Sequence, residues 1–361
     1  MARILVVGGN FAGITAGLEV KRRLKYDNHL VTVLSMSDRF LYVPSLIWVP
    51  FKDREINNIT FPVEPILKKR KVHFVHATAL SIHPEQNYVS STQGQFEYDF
   101  LILATGPKFD YSLPGLGPLN GFTSCICEPN GALETREAFE KFVDQPGPAV
   151  IGATQGAGCV GAAYEFLFNF EFHLRKRNVR KRVQLTWITP EPYLGHFGID
   201  GMRGGKFLLG QFFKHLDINY VINAQIDKIT PGEIKLTNGE KLPFEFSMLM
   251  PPFLGQDVIF KSNDVGDSKG FIPVTPNYQH PTYHNIFAAG TAVEVQPPFV
   301  TPVSLGVPKT GFPAELEAKI AAHNVATLVN NGTALKEKEF GKIPGFCVMD
   351  AGHKEIMALM T

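Results

Sequence analysis

The chain is poor in cysteine, with 4 among 361 residues. That is too few for the disulfide framework of a secreted protein, and it favours catalytic or redox use of the thiols. It also lacks an excess of either charge. The net charge is +1, which predicts no strong field for nucleic acid. No apolar run reaches about 18 residues, so no membrane-spanning helix is predicted. Met1-Ala2-Arg3-Ile4 leads straight into a strand, and no signal-peptide pattern is read there. There is no low-complexity segment, and no internal repeat beyond two βαβ starts. No metal ligands are assigned.

What is present suggests a compact protein of two ordinary domains, with 44% hydrophobic and 19% charged residues. The 29 phenylalanines imply large buried surfaces or a lipid-facing patch. Residues 3–7 read as a buried parallel strand, because the apolar run does not alternate. A glycine-rich turn follows over Gly8–Gly13, then a helix over 14–25 and a strand over 29–35. This is a βαβ unit at the start of the chain. Residues 100–105 form another buried strand ending at Gly106-Pro107. A second βαβ begins at 149–152, with a helix over 158–177 and a strand over 183–188. A short strand at 286–290 closes on Gly290, and the next helix runs from about 313 through 324.

The first turn, Gly8-Gly9-Asn10-Phe11-Ala12-Gly13, is a G-x-G-x-x-G variant with Asn10 at the middle glycine. That pattern lets a backbone approach a pyrophosphate at a helix N-terminus. Asn tolerates a left-handed conformation better than other non-glycine residues, so the replacement is mild. The position that should hold a ribose hydroxyl through an acid carries Ser35 instead, a weaker partner. Ala104-Thr105-Gly106 and Ala288-Ala289-Gly290-Thr291 each follow a strand, as in flavoproteins with two dinucleotide domains. Thr291 stands where Asp is usual, so backbone or Thr291 itself must fill that role.

The second turn, Gly152-Ala153-Thr154-Gln155-Gly156-Ala157-Gly158-Cys159, lacks a regular fingerprint, and the following strand has no acid at Thr189. Both departures argue against nicotinamide binding. Cys159 at a helix start is expected to have a lowered pKa, from the helix dipole and free N–H groups. The bland alternative is a small buried hydrophobe. Two further cysteines in turn contexts, Cys127 and Cys347, favour the redox reading.

Several segments together resemble the sulfide:quinone oxidoreductases, relatives of the flavocytochrome c sulfide dehydrogenase flavoprotein. They are Tyr42-Val43-Pro44-Ser45 with Trp48, Ser124–Cys127, Gly152–Cys159 with Tyr164-Glu165, Glu191–His196, and Gly306–Gly311. The resemblance covers essentially the whole chain. It implies an α/β fold of glutathione-reductase type, with tandem Rossmann domains. Residues 1–112 and 270–335 would bind FAD. Residues 113–269 would carry Cys127 and Cys159, and 336–361 would form a C-terminal segment with Cys347.

The resemblance further implies that Cys159 and Cys347 are the pair beside the flavin, with Cys127 as the third cysteine, in sulfur transfer. Glu165 and His196 would be acid/base groups. For His196 a packed loop histidine is an equal alternative. Lys309 would lie near the flavin pyrimidine, with Thr310, Gly311 and Pro44 also at the cofactor. Hydrosulfide would attack the cysteine bridge, and electrons would pass through FAD to a quinone such as ubiquinone or menaquinone. The enzyme would be monotopic on a membrane surface, and a homo-oligomer is open.

Three features depart from the family pattern. Glu128-Pro129-Asn130-Gly131 contains no His after Cys127. Cys125 has no assigned counterpart; in an extended segment it would share a face with Cys127. Chain ending at Thr361 leaves little after Cys347 for a membrane and quinone segment, where Phe346 is more simply a core ring. The basic run 175–182 reads as a solvated helix end rather than a lipid contact. Alternatives are a sulfide dehydrogenase flavoprotein with a haem-protein acceptor, and a non-catalytic sulfane-sulfur or flavin-binding protein. A type II NADH dehydrogenase is disfavoured by Thr189.

Overall fold

Unbroken apolar runs become the central strands of two parallel sheets. The computed structural model describes residues 1–343, 346–352 and 356–360, with side chains for 1–343 and 348–352. In chain order the elements that position the site are β1 (Arg3–Val7), α1 (Phe11–Arg23), β2 (Leu30–Ser35), β3 (His73–His76) and β4 (Phe100–Leu103). Then come α2 (Pro129–Asp144), β5 (Ala149–Ala153), α3 (Val160–Lys176), β6 (Leu185–Ile188), β7 (Asn219–Val221) and β8 (Phe246–Met250). The last are β9 (Ile286–Ala288), α4 (Gly311–Val329), β10 (Phe346–Asp350) and β11 (Ile356–Met360).

The first sheet has the order β9-β4-β1-β2-β3, and every neighbouring pair is parallel. Val7 at the end of the central strand pairs with both Leu34 and Leu103. Strand ends β1, β2 and β4 therefore converge on the first glycine turn, the edge where open parallel sheets bind ligands. The buried side of α1 is mostly small residues, Ala12, Gly13, Ala16 and Gly17, with Val20. A Cβ on Gly17 would stand 2.7 Å from Val33, so glycine sets the helix-to-sheet distance.

The second sheet has the order β7-β6-β5-β8, again parallel. Its core explains much of the phenylalanine content. Phe139, Phe142, Phe166, Phe168, Phe170, Phe213 and Phe246 are buried there with Trp187. Burial of such rings contributes roughly 1.5–3 kcal/mol each by transfer alone. The β10–β11 hairpin packs on α3, where Met349 and Ala351 join the same core. Trp48 Nε1 donates to Asp350 Oδ2 at 3.0 Å, and Asn169 Nδ2 donates to the Asp350 carbonyl at 3.2 Å.

Element boundaries differ from expectation at turns. Helix α1 begins at Phe11 rather than 14, because Asn10 caps it. Strand β6 begins only at Leu185, since Arg180–Arg182 form a 3-10 turn. The basic run is partly neutralised within the fold. Arg175 pairs with Glu171 and Arg177 with Glu140, while Arg180 donates to the carbonyls of Val183, Leu216 and Asp217. Among the described residues, no helix is long and apolar enough to cross a membrane.

Candidate active site

The first glycine turn is a cradle that no side chain could line. A Cβ on Gly8 would stand 2.1 Å from the Ala104 carbonyl oxygen, and one on Gly13 would stand 1.9 Å from the Gly8 oxygen. Gly8 also has a φ of +127°, a region that side chains disfavour. Asn10 corrects an expectation. It is not left-handed but extended (φ −115°), and its Oδ1 accepts the Phe11 N–H at 3.0 Å. Asparagine is there as a helix cap. Ser35 is buried against the turn: a Cβ on Gly9 would lie 2.4 Å from its Oγ, which accepts the Ser37 N–H at 3.2 Å.

Other cofactor candidates gather around this cradle. Gly290 (φ +76°) faces Ala12, since a Cβ there would lie 2.9 Å from the Ala12 methyl. Gly311 opens α4 beside the Phe11 ring, which in turn packs on Phe40 and Tyr42. Thr310 caps that helix and is exposed. Thr105 Oγ1 is buried without a hydrogen-bond partner among the described residues, and Gly106 beside it has a φ of +73°. Pro44 lies exposed in the Val43–Trp48 3-10 turn. Lys309 Nζ donates to the carbonyls of Thr291 (3.4 Å) and Val293 (2.6 Å) and sits 3.6 Å from the Phe271 ring centre. Burial brings its pKa down to about 8.

Glu317, which sequence analysis did not single out, accepts the Gly290 N–H at 2.6 Å. Burial raises its pKa to about 8. It supplies a carboxyl near the place where Thr291 replaces the usual Asp. It comes from α4, so no local pattern at 288–291 could reveal it.

The second turn is closed by the chain itself. Gly156 N–H donates to the Ser304 carbonyl at 2.7 Å, and Gly306 N–H donates to the Ala157 carbonyl at 3.1 Å. A Cβ on Gly306 would lie 2.8 Å from Gly158 Cα. Main chain thus covers the turn that a nicotinamide nucleotide would need. Thr189 is also occupied. Its Oγ1 donates to Glu191 Oε2 at 2.9 Å, and the same carboxylate accepts from Tyr164 (2.6 Å) and from the Phe197 N–H (2.7 Å). Glu191, buried, has its pKa raised to about 7 by burial. It faces inward and clamps the loop that carries His196.

Cys159 is the residue before the first turn of α3. Its expected low pKa is overturned. Burial raises the thiol, the Ala162 amide at the helix start pulls it only partly back, and the Glu165 charge adds to the rise. The helix-terminus effect is present but loses to desolvation. Cys127 packs against the same core as Cys159, and Cys127 Sγ lies 3.7 Å from Met250 Sδ. The Cys127 thiol is raised, first by its hydrogen bond with Cys125, then by burial, with the Cys159 charge adding to it. The three cysteines with described side chains, Cys125, Cys127 and Cys159, are free thiols.

Glu165 Oε1 accepts the Asp350 N–H at 3.0 Å. Burial raises its pKa to about 7, against the Asp350 amide. Cys347 lies three residues earlier on the same strand, in register with Leu359. Its side chain, and with it the Cys159–Cys347 pairing, falls outside the described residues, as does that of Phe346. Among the described residues, no contact brings His196 to this group. It is buried in its own loop, with Nδ1 accepting the Gly198 N–H at 3.2 Å and Nε2 3.8 Å from Asp200. Tyr193 and Phe299 pack edge-on to its ring. Burial lowers its pKa, with Asp200 opposing.

Comparison with known proteins agrees with this frame. The family model of the pyridine nucleotide-disulphide oxidoreductases matches residues 2–302. The sulfide-quinone reductase of Aquifex aeolicus is 32% identical over 97% of this chain and 81% of its own length. A mouse mitochondrial sulfide:quinone oxidoreductase is 26% identical, covering 80% of this chain and 64% of its own. The X-ray structure of the Aquifex aeolicus sulfide:quinone oxidoreductase superposes with a TM-score of 0.93 at 31% identity, over 100% of this chain and 87% of that one. The chain belongs to the pyridine nucleotide-disulphide oxidoreductases, and among them to the sulfide:quinone oxidoreductases. It is an oxidoreductase of α/β, tandem-Rossmann architecture. The family is one of FAD-binding flavoproteins. The glycine cradle, the buried Thr105 hydroxyl and Lys309 fit such a cofactor.

Proposed function

We propose that the chain oxidises hydrogen sulfide at its cysteines and delivers two electrons through FAD to a membrane quinone. The observation that carries this reading is the grouping of Cys127, Cys159 and Glu165 beside the strand of Cys347. Residues 1–112 and 270–335 serve as the flavin-holding unit, 113–269 as the cysteine-bearing unit, and 336–361 as the segment bringing Cys347. The two separate parallel sheets support that division.

FAD would be held by Gly8, Asn10, Phe11, Ala12, Gly13, Ser35, Pro44, Thr105, Gly106, Gly290, Thr310 and Gly311, with Lys309 at its electron-rich end. When bound, it supplies a two-electron acceptor and the route onward to quinone. The chain's own part is sulfur chemistry. Hydrosulfide attacks a Cys159–Cys347 bridge, leaving a persulfide on one sulfur and a thiolate on the other. Glu165, with its pKa near 7, takes the proton that hydrogen sulfide gives up. Cys127 takes over the sulfane sulfur, so that repeated cycles release sulfane or polysulfide. His196, packed in its own loop among Gly198, Asp200, Tyr193 and Phe299, takes no step in the sulfur chemistry.

Peripheral association with a membrane would bring the quinone. Val300 and Phe299, the latter packed on His196, are exposed and support this placement. Anaerobic titration with sulfide, followed by a soluble quinone, tests the reading. Bleaching of the visible flavin band and its recovery on adding quinone are expected. Bleaching without recovery would point to another acceptor, and no bleaching would sink the sulfide reaction.

A further inference from the structure

Cys125 has no part in the reaction just proposed, yet it is the best-placed thiol to intercept it. Its backbone is pinned on both sides. The Ser124 N–H donates to the Ser247 carbonyl at 2.7 Å, and Leu249 N–H donates back to the Ser124 carbonyl at 3.2 Å. Thr135 Oγ1 donates to the Cys125 carbonyl at 3.3 Å, and Gly131 leaves room for it: a Cβ there would lie 2.5 Å from that oxygen. The Cys127 thiol, two residues on, lies 3.7 Å from the Met250 sulfur. Only Ile126 lies between the two cysteines, so their Cα atoms stay about 5–7 Å apart, within reach of a disulfide, and each thiol shifts the titration of the other.

We propose that Cys125 is a resolving thiol for a persulfide on Cys127, and that the two close as a Cys125–Cys127 disulfide when sulfide runs out. This rests on the reading that Cys127 receives sulfane sulfur. The Cys125 thiolate attacks Cys127 Sγ, the inner sulfur of the persulfide. The sulfur–sulfur bond within the persulfide breaks, the Cys125–Cys127 bond forms, and hydrosulfide leaves with the electron pair. The sulfane sulfur is reduced to sulfide while the two cysteine sulfurs become a disulfide, so no further oxidant is required. Fresh hydrosulfide reverses the step by attacking Cys127, which restores the persulfide and frees Cys125. The pair is thus a rest state governed by sulfide itself.

Cys125 supplies the nucleophile because Cys127, once it carries sulfur, has no thiol of its own to react. Both are buried or half-buried, so outside thiols compete poorly with the neighbour.

The test loads sulfane sulfur in two ways: by turnover on limiting sulfide with a soluble quinone, and without turnover by sodium tetrasulfide. Samples of holoenzyme are alkylated, digested with trypsin, and peptide 109–136, which carries both cysteines, is weighed. In the wild type this peptide should be unalkylated and lighter than the dithiol by two hydrogens. In Cys125→Ser it should carry one extra sulfur on Cys127, under the alkyl group. A wild-type peptide alkylated at Cys125 with the extra sulfur retained on Cys127, or a Cys127–Cys159 link, would overturn the proposal. The flavin band, read in the same samples, reports separately on the sulfide reaction. A disulfide formed by tetrasulfide with no bleaching by sulfide would uphold the pair and sink the function.

Discussion

Glu165 accepts the backbone N–H of Asp350 at 3.0 Å, tying the helix that starts after Cys159 to the strand that carries Cys347. The bond joins two segments far apart in sequence. It also places a half-buried carboxyl between two cysteine-bearing elements.

The pH dependence of sulfide-driven flavin reduction should therefore follow Glu165. Its pKa near 7 predicts a rate that rises as pH climbs through about 7, and a Glu165→Gln variant that loses this step and runs roughly tenfold or more slower. Stopped-flow reduction over a pH series reads both. Stability carries the opposite sign. Because the folded pKa is raised, the folded state retains a proton that the unfolded chain gives up. Stability from this group is full below the unfolded value of about 4.3, and declines as pH rises to about 7. The Gln variant should lack that decline in urea midpoints.

In the reduced enzyme, with any Cys159–Cys347 bridge opened, Cys159 should resist alkylation at neutral pH. Its thiol is raised by burial, so modification should quicken only above the ordinary thiol value of about 8.5. Rapid labelling of Cys159 at pH 7, followed by peptide mass, would show that the helix start wins after all. Cys159→Ser should abolish flavin bleaching by sulfide while leaving the flavin bound.

Replacing Gly8 with Ala should empty the flavin site. The added methyl would meet the Ala104 oxygen at 2.1 Å, and a positive φ adds roughly 1–3 kcal/mol of strain. Visible absorption of the purified variant, after incubation with FAD, is the readout, with circular dichroism to check the fold. Full flavin content would refute the cradle.

Lys309→Met should make the flavin harder to reduce. A cation held by the Thr291 and Val293 carbonyls would favour the reduced, electron-rich ring. Its loss predicts a fall in midpoint potential on the order of tens of millivolts, measured by spectroelectrochemical titration. An unchanged potential would place Lys309 away from the ring.

Much of the frame was legible locally. Strand β1 (Arg3–Val7) ends with its apolar run and begins one residue before it, since a strand buried on both faces leaves no alternation to misread. The first glycine turn was legible for the same kind of reason: backbone crowding writes glycine directly into sequence. What escaped were effects of distance. The sign of the Cys159 shift depends on what covers the thiol, and a helix start alone does not say. Glu317 reaches Gly290 from a helix one segment later, and Asp350 reaches Glu165 across most of the second half of the chain. Asn10 was read for its tolerance of a backbone state it does not adopt; its capping oxygen is what the turn uses.

The main chain of 304–307 lies on the second glycine turn like a stopper. A side-chain exchange cannot remove a stopper made of backbone. Converting this scaffold to an NADH consumer would therefore take more than an acid at position 189. It would require rerouting the loop that also leads to Lys309 and Gly311, so that a gain in nucleotide access would come with disturbance of the flavin cradle.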